Sequence, residues 1–208
     1  RSTLFPYTTL FRSNGSDTLV VTTSDEGSSG SGGILTDIDT VGITVNSIND
    51  APVNTVPGSQ VVSEDTNLTI NGISVSDVDA NNLKVTLTVS NGMLTLSGTA
   101  GLTFTTGDGI ADSTMTFTGS IANLNTALAG LVYRGNTNFN GTDTLTLLTS
   151  DEGATGAGGV LTDLDTVNIV IDAVNNPPVN SVPPAQTVNE DTDLKFIAGT
   201  NGISTDDV

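Results

Sequence analysis

The sequence predicts an all-β fold of tandem sandwich repeats, each with one short helix. Three observations predict it. Apolar residues alternate with Thr, Ser and Lys at period two, Gly, Asn and Asp punctuate those runs, and the sequence echoes itself at an offset of 126, as between Asp25 and Asp151.

Residues Thr3 to Ser13, TLFPYTTLFRS, resemble the translation of a short-read sequencing adapter, so residues 1–13 are set aside as an artefact of assembly. From Asn14, NGSDTLVVTTSDEGSSGSGGILTDIDTVGITV returns from Asn140 as NGTDTLTLLTSDEGATGAGGVLTDLDTVNIVI. PVNTVPGSQVVSEDTNL from Pro52 returns from Pro178 as PVNSVPPAQTVNEDTDL, and GISVSDV from Gly72 returns from Gly202 as GISTDDV after a four-residue insertion. The expected organisation is the C-terminal part of a truncated repeat at 14–48, a complete repeat at 49–174 and the start of a third at 175–208. Such serial copies usually form spacers or multivalent surfaces.

Within the complete repeat, one strand is expected over Leu68 to Val75. Leu83, Val85, Leu87 and Val89 then alternate with Lys84, Thr86, Thr88 and Ser90. Asn91-Gly92 follows and then Leu94 and Leu96, a pattern that predicts a hairpin with Val89 opposite Leu94. Further strands are predicted through Met115 and Phe117, Leu131 and Tyr133, Leu145 and Leu147, and Val167, Ile169 and Ile171, where Thr, Val and Ile suit half-buried pleats. Between them Ser120 can cap a short helix whose Ile121, Leu124 and Leu128 share a face, with Gly130 ending it. Asp108 and Asp112 in GDGIAD read as turn formers.

Composition limits the chemistry. Five Lys and Arg stand against 23 Asp and Glu, for a net charge of −18, which argues against a nucleic-acid partner. With neither Cys nor His, disulfides, thiolate metal sites and Ser-His or Cys-His catalysis are absent. Carboxylate chemistry remains, either an acid pair or a hard cation held by oxygen. No apolar run of 18 residues is present, so no membrane insertion is expected. A Cys-free secreted β protein fits large bacterial exports better than disulfide-stapled modules.

Acidic residues gather around two linkers, Asn49-Asp50-Ala51-Pro52 and Asn175-Asn176-Pro177-Pro178. Glu64 or Glu190 follows each, and then Asp77 and Asp79 or Asp206 and Asp207. The length of strand between Glu64 and Asp77 places them at opposite ends of the repeat. A third acidic group, Asp163 and Asp165, flanks the Gly-rich loop 153–159 and suits either a part of the same site or a solvated loop.

Residues 14–208 resemble the immunoglobulin/cadherin-like tandem-repeat domains of large bacterial (type I-secreted, RTX-type) adhesins and, more loosely, the chondroitin sulfate proteoglycan repeat. The resemblance implies Ca2+ bound between repeats, with neighbouring repeats of the same chain as partners. It assigns Asp25, Glu26, Asn49, Asp50, Asp77 and Asp79 to the first junction. For the second it assigns Glu64, Asp151, Glu152, Asp172, Asn175, Asn176 and Asp207. The acidic pair is Asp-Glu-Gly rather than Asp-Arg-Glu, and the linkers are shorter than in cadherins. The expected function is a non-enzymatic, calcium-stiffened stalk of an extracellular bacterial adhesin. The competing reading is an extracellular ligand- or carbohydrate-binding module. A glycosidase repeated every 126 residues without an aromatic platform is implausible.

Overall fold

The computed structural model describes residues 14–27, 30–153, 156–199 and 202–206. The adapter-like segment and Asp207 lie outside the described residues. In chain order, β1 (Gly15–Ser24) and β2 (Thr36–Val45) are followed by β3 (Val53–Thr55), β4 (Gln60–Ser63), β5 (Asn67–Ile70) and β6 (Ser74–Ser76). Then come β7 (Asn82–Thr88), β8 (Gly92–Thr95), β9 (Leu102–Thr106), β10 (Thr114–Ser120), α1 (Ile121–Leu128), β11 (Leu131–Gly135), β12 (Gly141–Ser150) and β13 (Thr162–Asp172). β14 (Val179–Ser181) and β15 (Ser204–Asp206) close the series.

One β-sandwich holds the core. Its larger sheet has the order β4-β13-β12-β7-β10-β9 and its smaller sheet β5-β11-β8, with β3 and β6 paired beside them. Period-two patterning sends Leu83, Val85 and Leu87 of β7, Met115 and Phe117 of β10, Leu145 and Leu147 of β12, and Val167, Ile169 and Ile171 of β13 inward. From the smaller sheet Ile70, Leu94, Leu131 and Tyr133 meet them. Each such side chain contributes about 1.5–3 kcal/mol by leaving water.

The short helix forms as its sequence predicts. The Ser120 hydroxyl accepts from the Asn123 N–H at 3.2 Å, Leu124 and Leu128 are buried, and Gly130 follows at φ 77°. In GDGIAD the Asp112 carboxylate accepts from the N–H groups of Asp108 and Gly109, a turn as expected.

Two local expectations are corrected. Asn91-Gly92 does not close a hairpin, because β7 pairs with β10 and β12 while β8 pairs with β11 in the other sheet. Neither Asn91 nor Gly92 has the positive φ that a two-residue type I′ turn requires. Instead the buried Asp143 carboxylate accepts from the N–H groups of Ser90 and Asn91, at 3.0 and 2.8 Å, and from the Tyr133 hydroxyl at 3.0 Å. Those bonds hold a corner where the chain crosses between sheets. Burial, and then the Asp143 carboxylate, push the Tyr133 phenol well above its ordinary pKa. Gly92 is needed for close approach, since a Cβ there would lie 2.4 Å from the Tyr133 ring.

The single strand expected over Leu68 to Val75 is likewise two, β5 and β6, in different sheets. Gly72, at φ 82°, lies in the break between them.

Candidate metal centre at the repeat ends

β13 sets the distance between the two ends of the repeat. Its 11 residues, at about 3.3 Å each, span roughly 35 Å. Asp163 stands at one end and Asp172 at the other, and the linkers join the same two ends.

At the entry end, the linker 47–49 packs on the Gly-rich loop. Asn49 N–H donates to Ala157 O at 3.0 Å, and Ala157 N–H donates to Ser47 O at 3.0 Å. The Asn49 amide group donates to Gly159 O at 2.8 Å and to Asp151 Oδ2. Gly156 permits this contact, since a Cβ there would lie 2.7 Å from Asn49 N. The other Asp151 oxygen, Oδ1, accepts from Gly153 and Leu161 N–H at 2.8 and 2.9 Å. Burial works to raise the Asp151 pKa, but these hydrogen bonds outweigh it and hold the carboxyl below its usual 3.8.

Asp77 Oδ1 accepts from the N–H groups of Asp79 and Ala80, and Asp79 Oδ2 accepts from Asp50 N–H at 2.8 Å. Asp163 Oδ2 accepts from Asn54 N–H at 2.7 Å, which makes it a brace for β3. Glu152 forms an exposed ion pair with Lys84 at 3.0 Å.

At the exit end, Glu64 is 5% exposed and ties the next linker down. Its N–H donates to Asp172 O at 2.9 Å, and its Oε1 accepts from Val174 N–H at 2.7 Å. Asp172 and Asn175 are exposed, and Asn176 is half-buried.

The structure therefore regroups the predicted ligands. Glu64 and Asp77 lie at opposite ends, but Asp151 and Glu152 stand with Asn49, Asp50, Asp77 and Asp79 rather than with Glu64, Asp172, Asn175 and Asn176. Asp25 and Glu26 occupy the loop of hairpin β1–β2, about 30 Å of strand away from Val45 and the linker beyond it. The reason is topological. A hairpin loop lies at the end opposite its two termini, so the acidic pair faces the linker entering its repeat.

Among the described residues, no three Asp or Glu side chains converge closely enough to hold a metal ion. A cation fits in part. Among the described residues, Asn49 Oδ1, Asp77 Oδ2 and Glu64 Oε2 are buried oxygens without a hydrogen-bond partner, as is the Asn176 side-chain nitrogen, and all four belong to predicted ligands. Buried polar atoms are normally satisfied, and oxygen is what hard cations bind.

Asp143 and Asn54 escaped the sequence reading as structural polar groups. The signal available for Asp143 was its counterpart Asp17 in the same NGxDT context, which marked the position without showing what it binds.

A family model described as the Protein GAMETE EXPRESSED 2 domain matches residues 68–157. It covers less than half of the chain and is not a bacterial adhesin repeat. No curated protein matches. Among solved structures, a cohesin module from a Clostridium perfringens family 33 glycoside hydrolase is similar at 12% identity and a TM-score of 0.35, over 62% of this chain and all of that one. Mouse cadherin-23 repeats EC22–24 are similar at 19% identity and a TM-score of 0.36, over 80% of this chain. The chain spans 45% of that cadherin structure. The sandwich assignment rests on the strands described above, which these distant likenesses accompany. Among the described residues, no helix is long and apolar enough to cross a membrane.

Proposed function

We propose that this chain is a structural spacer of an extracellular bacterial adhesin, a stalk whose repeats are stiffened by calcium at their ends and which carries no catalytic step. The observation that supports it best is the set of buried, unpartnered oxygens, Asn49 Oδ1 and Asp77 Oδ2 at one end and Glu64 Oε2 at the other, in a chain built from serial copies. Asn49, Asp50, Asp77 and Asp79 would hold the ion at the entry end. Glu64, Asp172, Asn175 and Asn176 would contribute at the exit end. Asp151 and Glu152 act at the entry end by positioning, since their carboxylates engage the loop, the linker and Lys84. Bound calcium neutralises carboxylates that otherwise repel one another and fixes the angle between repeats.

Extracellular calcium sites have dissociation constants of about 10⁻⁴ to 10⁻³ M, so about 10 mM calcium stabilises each site by roughly 1.4–2.7 kcal/mol. Calorimetric melting in EDTA and then in millimolar calcium tests this. The expected result is a rise of several degrees that is lost in an Asp77→Asn, Asp79→Asn double variant. No shift would leave a plain β spacer. Sugar stacking finds little support, because Phe117 and Tyr133 are buried in the core and Phe104 and Phe139 pack against it, which leaves Phe196 as the one exposed aromatic side chain among the described residues.

A further inference from the structure

We propose that Asn71 is a site of spontaneous deamidation, at which the folded chain ages into aspartate and isoaspartate forms. Asn-Gly steps occur at Asn14, Asn71, Asn91, Asn140 and Asn201. Glycine favours the reaction because it has no Cβ to hinder its nitrogen and its backbone turns freely. Asn201 lies outside the described residues, and the fold sets the other four steps apart.

Asn71 and Gly72 are exposed and belong to the link between β5 and β6, outside any strand. Among the described residues, neither the Asn71 side chain nor the Gly72 N–H takes part in a hydrogen bond. Gly72 stands at φ 82° with open space where a Cβ would be, so nothing hinders its nitrogen from approaching Asn71 Cγ. Asn91 is the opposite case. Its N–H donates to Asp143 at 2.8 Å, and its carbonyl accepts from Asn136 N–H at 2.8 Å and from the Tyr133 hydroxyl at 3.3 Å. Gly92 is buried against the Tyr133 ring, so cyclisation there has to wait for the corner to open. Asn14 and Asn140 are exposed, but each precedes a glycine held in a strand pair, Gly15 with Val45 and Gly141 with Ile171.

The step needs only water. The Gly72 nitrogen attacks Asn71 Cγ, the new C–N bond closes a five-membered imide, and the Cγ–Nδ2 bond breaks. The proton of the Gly72 N–H passes through solvent to the departing nitrogen, which leaves as ammonia. Water then opens the imide at one of its two C–N bonds. Opening at Cγ gives aspartate, whereas opening at the main-chain carbonyl gives isoaspartate, with one extra carbon in the chain path. Nothing is oxidised or reduced. The link has little length to spare, since Ile70 and Ile73 on either side of it are both buried and belong to different sheets' ends of the core. The longer path slackens the entry into β6, where the Asn125 side chain holds Val75 N–H at 2.8 Å and its carbonyl at 2.9 Å. β6 runs on to Asp77, so the change is felt at the entry end of the repeat.

The whole chain is incubated for weeks in mildly alkaline buffer with EDTA, alone and in urea, and sampled by peptide mapping that separates aspartate from isoaspartate. In the folded chain Asn71 should convert at least about tenfold faster than Asn91, and in urea the two rates should become alike. The aged chain should melt several degrees lower and exchange the Val75 N–H faster than fresh chain. An Asn71→Gln variant, which cannot close the five-membered ring, should not change in this way. Fresh Asn71→Asp, which has the charge without the longer path, should melt like the unmodified chain. An intact Asn71 after incubation, equal rates at Asn71 and Asn91 in the folded chain, or equal loss of melting temperature in aged Asn71→Gln would overturn the proposal.

Discussion

Hairpins β1–β2 and β12–β13 are the same sequence element 126 residues apart, and their local structures agree in detail. Gly15 pairs with Val45 as Gly141 pairs with Ile171. Asp17 accepts from Thr18 N–H at 2.8 Å as Asp143 does from Thr144 N–H. Asp25 Oδ1 accepts from Gly27 and Leu35 N–H as Asp151 Oδ1 does from Gly153 and Leu161. Glu26 and Glu152 both adopt positive φ, at 52° and 57°. Yet Leu19 and Val41 are each 52% exposed where Leu145 and Val167 are 1% exposed. Conformation in this element is local, whereas burial is supplied by the strands around it.

The largest effect that tests this contrast is a charge placed on the shared apolar face. Leu147→Asp should destabilise the complete repeat by more than about 4 kcal/mol, enough to abolish its calorimetric transition, while Val21→Asp should change it by less than about 0.5 kcal/mol. Comparable losses at both positions would show that the first hairpin is also packed.

Next is the paired carboxylate. Asp143→Ala strands the N–H groups of Ser90 and Asn91 and the Tyr133 hydroxyl at a buried corner, so a loss of about 3 kcal/mol or more is expected in denaturant melting. Asp17→Ala removes one exposed bond and should fall within about 0.5 kcal/mol. Amide exchange sharpens the comparison further: N–H groups of β12 and β13 should exchange only on global unfolding, and those of β1 and β2 orders of magnitude faster.

The smallest effect is acid sensitivity. Asp151 lies below 3.8 in the folded state for the reasons given above, and hydrogen bonds from Leu35 and Gly27 lower Asp25 likewise. A folded-state pKa below the unfolded value means that the charged form stabilises the fold above about pH 3.8 and that this contribution is lost as pH falls through the folded value. Asp151→Asn should therefore flatten the acid limb of the melting curve. Asp25→Asn should leave it unchanged, although both carboxyls should titrate below 3.8 by NMR.

Much of the fold was legible because period-two alternation is a local code. It identified β7, β8, β10, β11, β12 and β13 but not β9, whose Leu102 and Phe104 are only partly buried, and the Ser120 cap and Gly130 stop marked α1. The hairpin at Asn91-Gly92 misled because its turn chemistry is also what a corner between sheets needs, and Asp143, 52 residues beyond Asn91, decided between them. The candidate site was legible as a list of oxygen donors but not as a grouping. Asp151 was assigned to the wrong end because spacing to a linker says nothing about which end of a hairpin carries its loop.

The sequence alone determined the repeat length, the inward residues of most strands, the short helix and the Asp-Glu-Gly loop, since each depends on neighbours a few residues away. The tertiary structure decided which sheet β7 and β8 joined and which linker meets Asp151. Those outcomes depend on hydrogen bonds and apolar contacts between residues 50 to 110 positions apart, such as Asn49 with Gly159 and Glu64 with Val174, and no local pattern encodes them.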